Sequence, residues 1–352
     1  MTEFELIYRY FDQQKAALDQ ANAVDSVAVV KGLGDDAAVI AINAGSQLVS
    51  CVDTLVQGRH FSEDWSQVEA LAFAIGFKSV AVNVSDLAAM GATPHHILLA
   101  LALPERLATE TWLSEFAKGL FHACSQFGVQ LIGGDTTRND KLVISITAQG
   151  FIANKKHNSQ SPIYRNGAKV GDKVYVSGTV GDACYALHHP DDEIGRQLSH
   201  RLHMPMPRVK LGQALAQQGG ATAMIDVSDG LVQDLGHICQ QSGVRIRLNI
   251  DTLPTSTPLQ QVALTERLHC QLTGGDDYEL AFTLPAGISP PDSYGNADTA
   301  NTKITCIGEV IDSCSAKDLP VIELTYQDSA VTDATPYPFS KMPHLQGFQH
   351  FN

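Results

Sequence analysis

The stretch DVSDGLVQDLGHI, residues 226–238, puts two aspartates, Asp226 and Asp229, directly before an amphipathic run. Leu231, Leu235 and Ile238 recur at helical spacing, so these carboxylates stand where a strand meets a helix. A similar phrase occurs earlier, Asn83-Val84-Ser85-Asp86, and it too leads into a helical continuation. About 50 residues downstream of each lies a Gly-Gly-Asp, at 133–135 and at 274–276. Two matches in the same order at nearly the same spacing predict related halves that bring equivalent loops to a shared cleft.

Periodicity outside these motifs supports two such halves. From Lys141 to Phe151, Leu142, Ile144, Ile146 and Ala148 alternate with Ser145, Thr147 and Gln149, the pattern of a half-buried strand. Trp112, Phe116, Leu120 and Phe127 follow a helical period, with Gly128 as the stop. Strands alternating with helices predict an α/β (mixed α+β) fold, sheets covered by helices. The polar, turn-rich segment 153–172 marks a boundary, giving domains 1–152 and 153–352, and residues 286–301 read as a surface loop.

A chain of 352 residues, 44% hydrophobic, is long enough for two packed domains. Its 38 acidic and 24 basic residues give a net charge of −14, which repels nucleic acid and anionic membrane unless charge is locally inverted. The excess carboxylates are either a solvated surface or cation ligands. Seven irregularly spaced cysteines, none in a C-x-x-C pair, read as reduced thiols of a cytoplasmic protein. The start MTEFELIYRYF lacks the pattern of a secretory signal, and the longest apolar run, Ile97–Leu103, is too short to span a bilayer.

Acidic residues recur in short turns beside apolar segments: Asp35-Asp36, Asp53, Asp86, Asp135, Asp226 with Asp229, and Asp276-Asp277. Any one of them reads as a surface turn or helix cap. Together they read as a metal site, because crowded carboxylates repel unless cations intervene. Oxygen donors suit Mg²⁺ or Mn²⁺, and magnesium leaves coordination positions for phosphate oxygens. Glycine before aspartate allows close backbone approach to a phosphate, and the helix after Asp229 would add N–H donors, with the Ser228 hydroxyl beside them. No G-x-x-x-x-G-K-[ST], kinase triad of motifs, or H-E-x-x-H occurs. Arg165 is a candidate cation for a nucleotide, or else a solvated loop arginine.

The motifs GDDAAVI (34–40), VDTLVQGRHF (52–61), FKSVAVNVSDLAAMGATP (77–94), LIGGDTTR (131–138), DVSDGLVQDLGHI (226–238) and TGGDDYELAFT (273–283) closely resemble the thiamine-monophosphate kinase family. The resemblance runs over nearly the whole chain, and its wider superfamily includes aminoimidazole ribonucleotide synthetase and selenophosphate synthetase. It implies a two-domain fold, an N-terminal sheet domain that dimerises and a C-terminal α/β domain. It also implies transfer of the ATP γ-phosphoryl group to thiamine monophosphate with several Mg²⁺ ions. By the same resemblance Asp36, Asp53, Asp86, Asp135, Asp226 and Asp229 hold metal, and Gly134, Asp135, Arg165 and Ser228 contact ATP. His60, Asp276 and Phe348 contact thiamine monophosphate. Cys51 and Val52 stand where similar proteins carry hydroxyl residues, so metal contact there is expected from backbone carbonyls. Asp276 replaces a glutamate common in the family, and a water is expected to bridge its shorter reach. Without the family, His60 reads as a structural histidine and Phe348 as a C-terminal anchor.

No catalytic base is expected. A phosphate acceptor with a second pKa of about 6 is already largely deprotonated near neutrality. Three rivals stand beside this reading: another ATP-dependent superfamily enzyme such as a ring-forming ligase, a non-catalytic Mg-nucleotide regulator, and a phosphohydrolase. The GRHF and GGDDYEL segments argue against the ligase.

Overall fold

The structure is a computed structural model that describes residues 7–11, 28–33, 37–42, 44–152, 154–155, 158–159, 161–292, 302–313 and 322–325. The chain divides into two compact units. Unit 1 comprises Met1–Leu87 and Ala92–Gln160, and unit 2 comprises Ala88–Gly91 and Ser161–Asn352.

In unit 1, β1 (Ala28–Lys31) and β2 (Val39–Ala41) form an antiparallel ribbon. Then come β3 (Gln47–Val56), α1 (Trp65–Ala70), α2 (Ala72–Ala89), β4 (Thr93–Leu103), α3 (Glu110–Phe127), β5 (Gln130–Arg138) and β6 (Val143–Ile152). The four long strands make one sheet in the order β3-β6-β4-β5, with β4 and β5 parallel and the other pairs antiparallel. The alternation read in the sequence holds on β6. Ile144, Ile146 and Ala148 are buried, while Ser145, Thr147 and Gln149 are half-exposed. α3 begins at Thr109, whose hydroxyl accepts the Trp112 N–H, and ends at Gly128. Its predicted stripe of Trp112, Phe116 and Leu120 is buried. Each such side chain contributes about 1.5–3 kcal/mol on burial.

α2 is 18 residues long and apolar enough to cross a membrane by length and composition, but 83% of it is buried within the protein. It is a core helix, with Val80, Val84 and Leu87 fully covered. The phrase Asn83–Asp86 lies inside it. Asn83 is held there by its own amide, which donates to the Ser79 carbonyl at 3.0 Å.

After the short pairing of β7 (Asn154–Lys155) with β8 (Asn158–Ser159), unit 2 contains β9 (Lys173–Ser177), α4 (Asp182–His188), α5 (Glu193–His203), α6 (Val209–Gln218), β10 (Ala223–Asp226), α7 (Leu231–Ser242), β11 (Val244–Asn249), α8 (Leu264–Thr273), β12 (Leu280–Leu284), β13 (Ile304–Ser313) and β14 (Ile322–Thr325). A six-stranded sheet runs β10-β12-β9-β13-β11-β14, antiparallel except for β11 with β14. The predicted stripe Leu231, Leu235 and Ile238 packs into one apolar cluster with Val174, Val176, Ile225 and Ile246 of the sheet.

The two halves do not repeat each other at the motifs. Asn83–Asp86 is helical, whereas Asp226–Asp229 ends a strand and enters a loop. Gly133-Gly134-Asp135 lies within β5, whereas Gly274-Gly275-Asp276 follows a helix and precedes β12. The expectation of structurally equivalent loops is corrected on both counts.

Candidate functional site

In unit 1, β3 carries Asp53 at the edge of the sheet. The Asp53 N–H is not used in the ladder with β6 but donates to Asn83 Oδ1 at 3.0 Å. Asn83 therefore ties the strand to α2, and Asp86 stands three residues on, along the same helical face. Both carboxylates are half-buried. Cys51, two residues before Asp53, gives its thiol to the Asn83 carbonyl at 3.3 Å. By the alternation of an antiparallel ladder, Cys51 shares the backbone orientation of Asp53 and turns its carbonyl to the open edge. Val52 has the opposite parity, so its carbonyl faces Thr147 of β6, and its side chain is 61% exposed. His60 accepts the Val56 N–H on Nδ1 at 3.1 Å, closing the turn after β3.

Gly134 and Asp135 sit on β5, at the other edge of the same sheet. The register runs from Asp53 through Ile146 and Leu99 to Gly134. Three strand steps of about 4.8 Å put Asp53 and Asp135 roughly 14 Å apart. The sheet holds them at opposite edges and does not bring them together. Gly134 is required by the sheet itself, since a Cβ there would meet the Leu99 carbonyl at 2.0 Å.

In unit 2, Asp226 ends β10 and Ser228 and Asp229 follow in the loop before α7. Asp234 Oδ2, from the first turn of α7, accepts the N–H groups of Ser228, Asp229 and Gly230 at 3.0–3.1 Å. Those three amides, expected to serve a phosphate, are taken internally. Burial, then the charges of Asp226 and Asp229, push the Asp234 carboxyl well above its usual range. Gln233 donates to Asp229 Oδ2 at 3.1 Å.

Asp276 lies directly across from this loop. Its N–H donates to the Ser228 carbonyl at 2.8 Å, and the Tyr278 N–H donates to the Val227 carbonyl at 2.8 Å. A Cβ on Gly275 would meet the Ser228 carbonyl at 2.4 Å, so this approach requires glycine. Tyr278 also gives its hydroxyl to Asp276 Oδ1 at 3.1 Å. Arg165 reaches the same neighbourhood. Burial and then the Arg165 guanidinium hold His237 below its ordinary value, while Asp229 acts on it in the opposite sense.

Residues 276–279 are fixed from behind. Asp277 Oδ2 accepts the Gly181 N–H at 2.7 Å, and its other oxygen is buried without a hydrogen bond among the described residues. Burial pushes this carboxyl well above its ordinary range, with Arg201 opposing. Glu279 is fully buried and accepts from Arg201 Nη2 (2.7 Å), Arg208 Nε (2.6 Å), Arg208 Nη2 and Ser177 Oγ (2.6 Å). Burial favours its neutral form, but the two arginines and Ser177 outweigh it and hold the carboxyl below its usual range.

The nominated metal donors are carboxylate oxygens, a hard set suited to magnesium. Among the described residues no three His, Cys, Asp or Glu side chains converge tightly enough to hold a metal alone. A magnesium ion that keeps water and substrate oxygens in most of its positions needs only one or two such carboxylates from the protein. Asp36 and Phe348 lie outside the described residues.

The AIR synthase related protein N-terminal domain matches residues 34–152, and the corresponding C-terminal domain matches 169–288. The thiamine-monophosphate kinase of Haemophilus influenzae is 38% identical over 323 residues, 89% of this chain and 90% of the relative. The chain belongs to the thiamine-monophosphate kinase family. The crystal structure of thiamine-monophosphate kinase from Stenotrophomonas maltophilia K279a is 37% identical, with a TM-score of 0.73 over 92% of this chain and 96% of that one. The AaThiL complex with AMPPCP and TMP is 26% identical, with a TM-score of 0.68 over 99% of this chain and 97% of that one.

Within this member of the thiamine-monophosphate kinase family, sequence reasoning missed Asp234, Glu279, Arg201 and Arg208, and it gave no tethering role to Asn83 or Asp277, which it named only within motifs. Asp234 had a local signal, a carboxylate in the first turn of a helix. Glu279 had one too, a charge opening the apolar run Leu280–Leu284 and therefore demanding a partner. Nothing near it in sequence named Arg201 or Arg208, more than 70 residues away.

Proposed function

We propose that this chain transfers the γ-phosphoryl group of ATP to thiamine monophosphate, giving thiamine diphosphate and ADP. The observation that carries this reading is the likeness, over 99% of the chain, to the AaThiL complex with AMPPCP, an ATP analogue, and TMP. The Haemophilus influenzae relative, at 38% identity across 89% of the chain, bears the same activity in its name.

The chemistry asked of the side chains is positioning. The acceptor phosphate, with a pKa of about 6, enters as its own nucleophile, so no residue has to take a proton. The obstacle is the meeting of two polyanions in line. Bound magnesium supplies charge neutralisation and orientation of phosphate oxygens. In unit 1 metal would be held by Asp53 and Asp86, and by Asp135 at the other edge of the same sheet, with the Cys51 carbonyl at the open edge of β3; in unit 2 it would be held by Asp226 and Asp229. Asp36 joins this set by resemblance alone. Val52 is left out because its carbonyl is directed into the sheet. Gly134, Asp135, Arg165 and Ser228 serve ATP, and His60, Asp276 and Phe348 serve thiamine monophosphate.

The same proposal includes a homodimer and a cytoplasmic setting. Asp53 and Asp135 occupy opposite edges of one sheet. A dimer that sets the β3 edge of one protomer against the β5 edge of its partner brings an Asp53 to an Asp135. In this scheme residues 1–152 are the metal, ATP and dimerisation domain, and residues 153–352 the C-terminal α/β domain.

The test is Mg²⁺-dependent formation of thiamine diphosphate by the purified protein, with thiamine and no acceptor as parallel controls. Product only with thiamine monophosphate, matched one to one by ADP, is expected. ATP binding without product would move the reading to a regulator, and phosphate release without acceptor to a hydrolase.

A further inference from the structure

The chain carries a net charge of −14, yet one hollow in unit 2 has the opposite sign. A pocket of about 400 Å³ opens beyond the end of β9, between Gly178 and Lys303. That volume is in the range of small-molecule sites. None of Asp226, Ser228, Asp229 and Asp276 lines it. In the sheet order β10-β12-β9, the two places lie two strand steps apart, about 10 Å.

Arg201, Arg208 and Lys303 bring three permanent positive charges to its wall, with His200 beside them. Two carboxylates are also present, but both are already engaged inside the protein. Asp182 accepts from Thr179 Oγ1 at 2.6 Å and Ser256 Oγ at 2.5 Å. Glu279 is wholly enclosed by Arg201, Arg208 and Ser177.

The guanidinium groups are thereby fixed without being used up. Arg208 binds Glu279 through Nε and Nη2, and Arg201 through Nη2, which also reaches the Thr179 carbonyl at 3.3 Å. Nη1 of each arginine makes no hydrogen bond among the described residues. The two side chains are 17% and 14% exposed, so their outer edges remain at the pocket wall. Lys303 is exposed and forms no ion pair among the described residues. Guanidinium forks held in place by a buried carboxylate lose little freedom on meeting a phosphate. Leu198, Pro254 and Pro258 add an apolar side that a bare ion does not need.

We infer that this pocket binds a small phosphate ester or diphosphate, at a site separate from the aspartate loops. The shared chemistry is a phosphate-bearing anion with a modest organic body. Its source is either the product of the proposed reaction or an unrelated metabolite.

The test is calorimetric titration in EDTA without nucleotide, where the uncompensated aspartates repel anions and only a cationic pocket takes them up. Inorganic pyrophosphate and thiamine diphosphate are the two probes. Saturable pyrophosphate binding is expected, weakened at least about tenfold by Lys303→Glu, which removes one charge-assisted contact and adds a repelling carboxylate. Asp226→Asn is expected to leave it in place. Tighter binding of thiamine diphosphate with the same Lys303 dependence identifies the product as the source. Pyrophosphate binding alone points to another phosphate compound. Absence of saturable binding, or binding indifferent to Lys303→Glu, overturns the inference. The phosphoryl-transfer assay with Mg²⁺ is independent of this result, so the two readings fail separately.

Discussion

In unit 1, Asp53 lies on a strand and Asp86 within an 18-residue helix, joined through the single side chain of Asn83. In unit 2, Asp226 ends a strand and Asp229 and Asp276 lie on the two facing loops, which are fastened by Asp234, Asp277 and Glu279. Regular backbone, a strand and a helix, positions the first set. Buried polar groups hold the second set, so stability and site geometry there depend on the same atoms. Mutation is expected to separate function from stability in unit 1 and to confound them in unit 2.

The largest effect is expected from Glu279→Ala, which leaves Arg201 and Arg208 unpaired in a buried place. Loss of about 3–5 kcal/mol is expected by urea denaturation. The acid limb sharpens the point. Because Glu279 sits below its unfolded value, its contribution is present above the ordinary carboxylate range and disappears as pH falls through its folded value. Glu279→Gln should flatten that part of the stability profile; an unchanged profile would show that the cluster is not anchored by charge.

Asp86→Asn should reduce phosphoryl transfer by about a hundredfold or more, roughly 3 kcal/mol of transition-state stabilisation, with the melting temperature unchanged. Near-normal turnover in the folded variant would remove Asp86 from the metal set. Asp234→Ala should cost about 1–3 kcal/mol, since three amide donors lose their acceptor, and should also raise the KM for ATP. A change in stability with an unchanged KM would separate the loop from the nucleotide. Val52→Ala is expected to change stability by no more than about 0.5 kcal/mol and to leave the Mg²⁺ dependence of turnover alone, as an outward-facing residue of 61% exposure should.

This contrast also explains what could be read in advance. The helix over Glu110–Phe127 and the strand over Val143–Ile152 were legible because periodicity and caps are local signals. Asn83–Asp86 reads in sequence as a loop equivalent to Asp226–Asp229 but is helical. Its polar letters resemble a turn, although Phe77, Val80, Val84 and Leu87 around it continue a buried helix. The carboxylates themselves were visible as residue types. Their supports were not, because Arg201 and Arg208 meet Glu279 only after the chain has folded across more than 70 residues. The roughly 14 Å between Asp53 and Asp135 likewise follows from strand order, which no motif encodes.

Asp276 and Tyr278 both have positive φ, 67° and 50°. Side chains in that region cost about 1–2 kcal/mol each relative to glycine. A chain optimised for endurance alone would place glycine at 276, relaxing the backbone and discarding the carboxylate that accepts the Tyr278 hydroxyl. Heat-tolerance screens that ignore activity should therefore return Asp276→Gly among their winners, and those winners should be the ones that no longer accept substrate.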